Sequence, residues 1–154
     1  MIPLNGEQIC RVDAKGRFML PVVFKNQLAD LLQEGFIMKQ SIHNPCLELY
    51  PKSTWNELYR KIMSKLNRFK KEDRSFIRTY SAGTKVIEID SAGRILIPHD
   101  LARFAGITGD IVVAAMMDCM EVWDKTRYDS EIIETQDMMP ELAEKLLGNI
   151  NLNE

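Results

Sequence analysis

The feature that most constrains this chain is that it contains the same pattern twice. VDAKGRFMLP at 12–21 matches IDSAGRILIP at 89–98, and an internal repeat takes precedence over any local reading of strands and helices. Asp13 coincides with Asp90, Gly16 with Gly93, Arg17 with Arg94 and Pro21 with Pro98. Phe18/Ile95, Met19/Leu96 and Leu20/Ile97 are apolar in both copies. A second block follows in the same order. CLELYPKSTW at 46–55 aligns with CMEVWDKTRY at 119–128, pairing Cys46 with Cys119, Glu48 with Glu121, Tyr50 with Trp123 and Lys52 with Lys125. Two blocks in one order make chance similarity improbable.

Each copy reads as a strand, a tight D-x-x-G-R turn and a second strand. Gly16 and Gly93 stand where a left-handed backbone is needed. Asp13 and Asp90 are placed to accept bonds from amides ahead of them and to pair with the Arg four residues on. Pro21 and Pro98 suit a helix's first turn, which predicts short helices over Val22–Leu32 and Asp100–Ala105, with Gly35 and Gly106 as stops. Two further strands follow in each copy: Phe36–Gln40 with Cys46–Tyr50, and Ile111–Met116 with Met120–Trp123. A unit this short is marginal alone, since small domains bury too little surface. The two copies are therefore expected to interlock into one pseudo-two-fold β-barrel.

The segments outside the repeats read as helical. Thr54-Trp55-Asn56-Glu57 has the form of a capping box, and Trp55, Leu58, Tyr59, Ile62, Leu66 and Phe69 follow at helical spacing as a packing stripe. A second helix is expected over Arg74–Tyr80, and a third over Pro140–Leu147 with Gly148 as its stop. The resulting division is a first repeat at 7–54, a helical connector at 55–82, a second repeat at 83–126 and an acidic, partly helical tail at 127–154.

Charge sharpens this picture. The whole chain is close to neutral, at −2, but residues 52–78 carry nine Lys/Arg against three Asp/Glu, and residues 118–154 carry three against ten. There is no global basic footprint, so any attraction for nucleic acid must be local. Arg17 and Arg94 would emerge side by side if a two-fold relates the halves. Lys15, and Arg11 nearby, would join them in a small basic prong. A two-stranded ribbon fits the DNA major groove, and Arg bonds guanine O6 and N7 bidentately. Asp13 and Asp90 then serve to aim the arginines, reducing the ordering cost on binding. Lys15 faces Ala92 in the alignment, so the first copy is expected to contribute more binding energy.

Other classes find less support. Cys10, Cys46 and Cys119 form no C-x-x-C pair, and His43 with Cys46 supplies at most half of a zinc site, so neither a metal nor another cofactor is expected. No run of about 18 apolar residues suggests a membrane span. The opening MIPLNGEQIC lacks a leader pattern, and the expected compartment is the cytoplasm. There is no P-loop, G-x-S-x-G elbow or H-E-x-x-H, and an Arg beside each Asp would keep both carboxylates ionised. The chain is therefore read as neither an enzyme nor a binder of a small-molecule substrate. A purely structural module and an antitoxin remain as rivals; the duplication and the long middle helices argue against the antitoxin.

VDAKGRFMLP, IDSAGRILIP, HNPCLELYPKSTW, CMEVWDKTRY and LARFAGI together resemble the landmarks of the MraZ family of bacterial transcriptional regulators, within the SpoVT-AbrB superfamily. The resemblance runs over about residues 1–130. It implies a mostly β fold with helices (α+β), a tandem swapped-hairpin barrel forming an intrachain pseudo-dimer. It also implies a homo-oligomeric closed ring, nucleoid-associated, that binds tandem direct repeats in double-stranded DNA upstream of the division and cell-wall gene cluster. Such proteins usually repress that cluster, their own gene included. The family's DNA-contacting loops fall here on Asp13, Lys15 and Arg17, then Asp90 and Arg94. A ring would also reconcile acidity with DNA binding, because charge acts within a Debye length of about 8–10 Å and several subunits multiply weak contacts.

Overall fold

The computed structural model describes residues 3–150. Residues 1–2, at the start of the expected leaderless opening, and 151–154, at the end of the expected tail, lie outside the described residues. The chain divides into two compact units, one up to Asp124 and one from Lys125 onward.

The first unit is a mixed α+β structure. Its strands are β1 (Glu7–Arg11), β2 (Arg17–Met19), β3 (Phe36–Gln40), β4 (Leu47–Pro51), β5 (Lys85–Ile87), β6 (Arg94–Leu96), β7 (Asp110–Met116) and β8 (Cys119–Asp124). Helices α1 (Val22–Gln27), α2 (Lys52–Met63), α3 (Lys71–Ser81) and α4 (His99–Ala105) lie between them. Six strands form one antiparallel sheet in the order β1-β7-β8-β4-β3-β5, and β2 pairs with β6 in a separate ribbon. The large sheet is open rather than a closed barrel, with β1 and β5 at its edges.

The order reads the same when the two copies are exchanged. At the centre of the sheet Glu48 faces its counterpart Glu121, flanked by Leu47↔Val122 and Leu49↔Met120. At the centre of the ribbon Phe18 faces its counterpart Ile95. The edges are shared too: β1 of the first copy lies on β7 of the second, and β5 of the second on β3 of the first.

This corrects the simple hairpin. The D-x-x-G-R turn forms, but the strands on either side of it do not pair with each other. β1 joins the large sheet and β2 joins the ribbon, each against the other copy. The buried side chains show why. Phe18/Ile95, Leu20/Ile97, Phe24/Leu101, Leu28/Ala105, Leu47/Met120 and Leu49/Val122 are equivalent pairs, all at most 2% exposed, within one shared core. A lone copy could bury only half of that surface.

Several local boundaries differ from expectation. α1 ends at Gln27, not Leu32; the chain continues through i→i+3 bonds (Leu31 N to Leu28 O, Glu34 N to Leu31 O) into a 3-10 turn at Leu32–Glu34. This tighter winding keeps Leu28, Leu31 and Leu32 against the core. α2 starts at Lys52, so Thr54 lies inside the helix and the capping box does not form. Its acceptor comes from elsewhere: Ser53 donates its amide (3.0 Å) and its hydroxyl (2.6 Å) to Glu34 Oε1. α2 ends at Met63, where the Ser64 hydroxyl donates to Lys61 O and Asn67 builds a turn by accepting from the Phe69 amide. Phe69 is consequently 88% exposed rather than part of the packing stripe. Trp55, Leu58 and Tyr59 do pack as expected, with Trp55 stacked on Tyr80 of α3. Gly106 closes α4 in the left-handed conformation, φ 65°, also as expected.

The second unit comprises α5 (Lys125–Gln136) and α6 (Met139–Leu147). α6 follows expectation. α5 is an additional helix beyond the sequence expectation; it begins at Lys125, the repeat counterpart of Lys52, where α2 begins. Among the described residues no helix is long and apolar enough to cross a membrane.

Because each copy completes the other, the repeats unfold together. Urea denaturation followed by Trp55 and Trp123 fluorescence is expected to give a single transition. Phe18→Ala, which empties a fully buried site, is expected to lower stability by about 3–5 kcal/mol in that one transition; two separable transitions would contradict the shared core.

Candidate nucleic-acid interface

The two turns are built identically, atom for atom. Asp13 Oδ1 accepts from the amides of Lys15 and Arg17, both at 2.9 Å, and Asp13 Oδ2 accepts from Arg17 Nε at 3.0 Å. Asp90 Oδ1 accepts from the amides of Ala92 (2.9 Å) and Arg94 (2.8 Å), and Asp90 Oδ2 from Arg94 Nε at 2.9 Å. Each turn is closed by backbone bonds, Asp13 N to Arg17 O with Gly16 N to Asp13 O, and their equivalents Asp90 N to Arg94 O with Gly93 N to Asp90 O. One carboxylate thus orders the loop backbone with one oxygen and aims the guanidinium with the other.

Backbone conformation favours glycine at both turns, and at Gly16 close packing adds a second reason. Gly16 and Gly93 have φ of +85° and +84°, which a side chain rarely adopts, and a Cβ on Gly16 would lie 3.3 Å from Ile97 O. That close approach comes from the ladder extending past the ribbon. Ile97 N donates to Gly16 O (2.8 Å) and Leu20 N donates to Gly93 O (3.0 Å), so each loop is tied to the strand of the other copy.

The ribbon register then fixes the arginines. Arg17 faces Leu96 and Met19 faces Arg94. Side chains alternate across a strand, so Arg17, Met19, Arg94 and Leu96 share the outer face, while Phe18 and Ile95 point into the core. Arg17 and Arg94 are diagonal neighbours, about 7–8 Å apart at their Cα atoms. Met19 and Leu96, at 48% and 49% exposure, separate them. The Arg17 and Arg94 side chains are 27% and 36% exposed. Since Asp engages only Nε, both Nη groups of each arginine have no partner among the described residues. That leaves the terminal fork, the part suited to bidentate bonds with guanine or phosphate, facing outward.

The other expected residues fall as follows. Lys15 is exposed at the tip of the first loop. Arg11 lies at the end of β1, on the other sheet, and its guanidinium reaches Asp110 at 3.3 Å. His43 is exposed while Cys46 is fully buried, so they share no site. Burial pushes the Cys46 thiol up, and pushes Cys10 to about 11 and Cys119 to about 12, which keeps them protonated and unreactive. Among the described residues no group of three or more His, Cys, Asp or Glu is arranged to hold a metal.

Asp13 and Asp90 are held below the ordinary Asp value of 3.8. The amide of the following Arg is the largest cause; it outweighs desolvation and is assisted by the guanidinium and the intervening amide. A carboxyl held low in the folded state stabilises it above the ordinary value and loses that effect only as pH falls through its own lower value. The loops therefore stay organised throughout neutral and mildly acidic conditions.

Fold and ribbon define a class: duplicated α+β proteins whose two repeats share one core and display a pair of aspartate-aimed arginines on a common outer face. The family described as "MraZ protein, putative antitoxin-like" matches residues 4–79 and 81–148, and the chain belongs to the MraZ family. A protein named "Transcriptional regulator MraZ" from Flavobacterium psychrophilum is 47% identical over 154 residues, covering 100% of this chain and 98% of its own. One of the same name from Christiangramia forsetii is 46% identical over 149 residues, covering 97% and 96%. Another, from Phocaeicola vulgatus, is 35% identical over 147 residues, covering 96% of each.

Two outcomes follow for the loops. Gly16→Ala and Gly93→Ala are each expected to destabilise by about 1–3 kcal/mol through the positive-φ backbone, measured by urea titration. Wild type is expected to lose stability as pH falls below 3.8, and Asp13→Asn with Asp90→Asn is expected to flatten that loss; an unchanged acid limb would show that these carboxylates do not brace the loops.

Proposed function

We propose that this protein is a sequence-specific DNA-binding transcriptional regulator that reads duplex DNA with the outer face of the β2–β6 ribbon. The observation that carries this reading is the ribbon itself, with Arg17 and Arg94 on one exposed face and their Nη forks unpartnered. A two-stranded antiparallel ribbon matches the width of the major groove, and the arginine forks match guanine O6 and N7. The aspartates hold the arginines before DNA arrives, so little side-chain entropy is lost on binding. Lys15 supplies phosphate neutralisation at the first loop, whereas Arg11, committed to Asp110, is assigned a lesser part. The relatives' name, transcriptional regulator, supports the same reading.

The finer picture extends it. Interleaved repeats are the intrachain equivalent of the swapped-hairpin AbrB dimer. Subunits assemble into a closed ring, and each engages one of a set of tandem direct repeats about one helical turn apart. The regulated cluster is the division and cell-wall cluster, including the protein's own promoter, with repression as the outcome. The protein then works in the cytoplasm at the nucleoid, needs no cofactor and turns over no small molecule. Avidity across the ring offsets modest affinity per subunit.

A gel shift on the gene's own upstream region, with a footprint and an oligomer mass in parallel, tests this. Arg17→Ala with Arg94→Ala is expected to abolish periodic protection while leaving the fold intact. Retention of wild-type affinity would favour a structural module whose loops merely stiffen turns. Wild-type binding is expected to weaken by ~10³–10⁵ between about 50 and 200 mM salt if six to ten phosphates are engaged.

A further inference from the structure

We infer that Lys25, in α1 of the first repeat, is the phosphate-binding lysine of the second loop. This rests on the DNA-reading role of the ribbon and identifies a further contact residue within it. The sequence leaves the loops unequal: Asp13-Ala14-Lys15-Gly16-Arg17 carries a lysine, whereas Asp90-Ser91-Ala92-Gly93-Arg94 has Ala92 in its place. The structure fills the gap from the other copy. A Cβ on Gly93 would lie 2.5 Å from Lys25 Nζ and 3.0 Å from its Cε, so the lysine tip occupies the space that the glycine leaves open.

The arrangement is reciprocal. The repeat counterpart of Lys25 is Ala102, and the equivalent space at Gly16 meets only Ile97 O and Leu96 Cδ1. Each loop therefore has one aspartate, one arginine and one lysine: Lys15 from within the first loop, Lys25 from a helix for the second. Where one position of the pair is lysine, the other is alanine, in both cases.

Lys25 is also not otherwise employed. Among the described residues no carboxylate pairs with it, and its ammonium donates to Met19 Sδ at 3.6 Å, a weak acceptor. An ammonium resting on a thioether and a glycine backbone, next to a loop that already carries Arg94, is suited to an anion arriving from outside. The ligand is a DNA phosphate flanking the base that Arg94 reads. The two loops then carry equal charge, and the expectation that the first copy dominates binding is replaced by near-equal contributions.

The test is fluorescence anisotropy on a duplex from the gene's own upstream region, across a salt series, using the full chain. Lys25→Ala is expected to weaken binding about tenfold near 100 mM salt and to lower the slope of log K against log salt by about 0.9 for each subunit engaged. Lys25→Arg is expected to keep the slope. Lys25→Ala with Ala92→Lys, which returns the cation to the loop itself, is expected to restore it. Loss of affinity with an unchanged slope, or no effect of Lys25→Ala, overturns the proposal, because a lysine that only props the loop releases no counterions. Arg17→Ala with Arg94→Ala, run alongside, separates the two failures. If that variant loses binding while Lys25→Ala keeps its slope, only the role of Lys25 falls; if it binds as wild type, the DNA-reading face falls with it.

Discussion

The structure depends on one interaction, the antiparallel pairing of β2 with β6. Three facing pairs form its ladder, and the bonds Leu20 N to Gly93 O and Ile97 N to Gly16 O carry it into both turns. Its inner face buries Phe18 and Ile95, each contributing roughly 1.5–3 kcal/mol of apolar burial. Its outer face carries Arg17, Met19, Arg94 and Leu96, with Met19 and Leu96 about half exposed. The same pairing that closes the core between the copies therefore sets the spacing and direction of Arg17 and Arg94. Core stability and the geometry of the arginine pair cannot be altered independently.

The Asp-Arg turns acquire their meaning from that ribbon. An exposed ion pair four residues apart contributes little to stability, under about 1 kcal/mol. Here the aspartate also takes two backbone amides, so it fixes a loop whose glycine must approach the facing strand. Rigid placement of a guanidinium is of limited use to a fold but reduces the ordering loss when a partner is bound.

Much of this was legible in the sequence, for a physical reason: the repeat marks every position where local geometry is demanding. Gly16 and Gly93 stood out because positive φ excludes other residues, and the Asp-to-Arg spacing because it closes a turn. The apolar residues after each turn proved to be core where they alternate inward, as at Phe18 and Leu20. What stayed hidden was non-local. Nothing in the local pattern says that β1 and β2 part company, since a strand's partner is decided by which surface completes the core. The start of α2 was misplaced because its acceptor, Glu34, comes from another segment. Phe69 kept helical spacing but fell beyond a helix that Ser64 and Asn67 had already ended. The onset of α5 is marked in the sequence only by the Lys52/Lys125 match, since its first turn lacks an acidic residue. Lys25 could not be linked to the second loop from sequence, because a helix of one copy reaches it only after the copies interleave.

The most direct measurement is methyl NMR of methionine-labelled protein titrated with a duplex from its own upstream region. Met19 sits on the outer face, opposite Arg94, whereas Met120 is buried and Met138 and Met139 lie in the second unit. The account predicts that the Met19 methyl shifts as DNA saturates while the Met138 and Met139 methyls hold their positions. A duplex that binds with Met19 unmoved and the second unit's methionines shifted would contradict it.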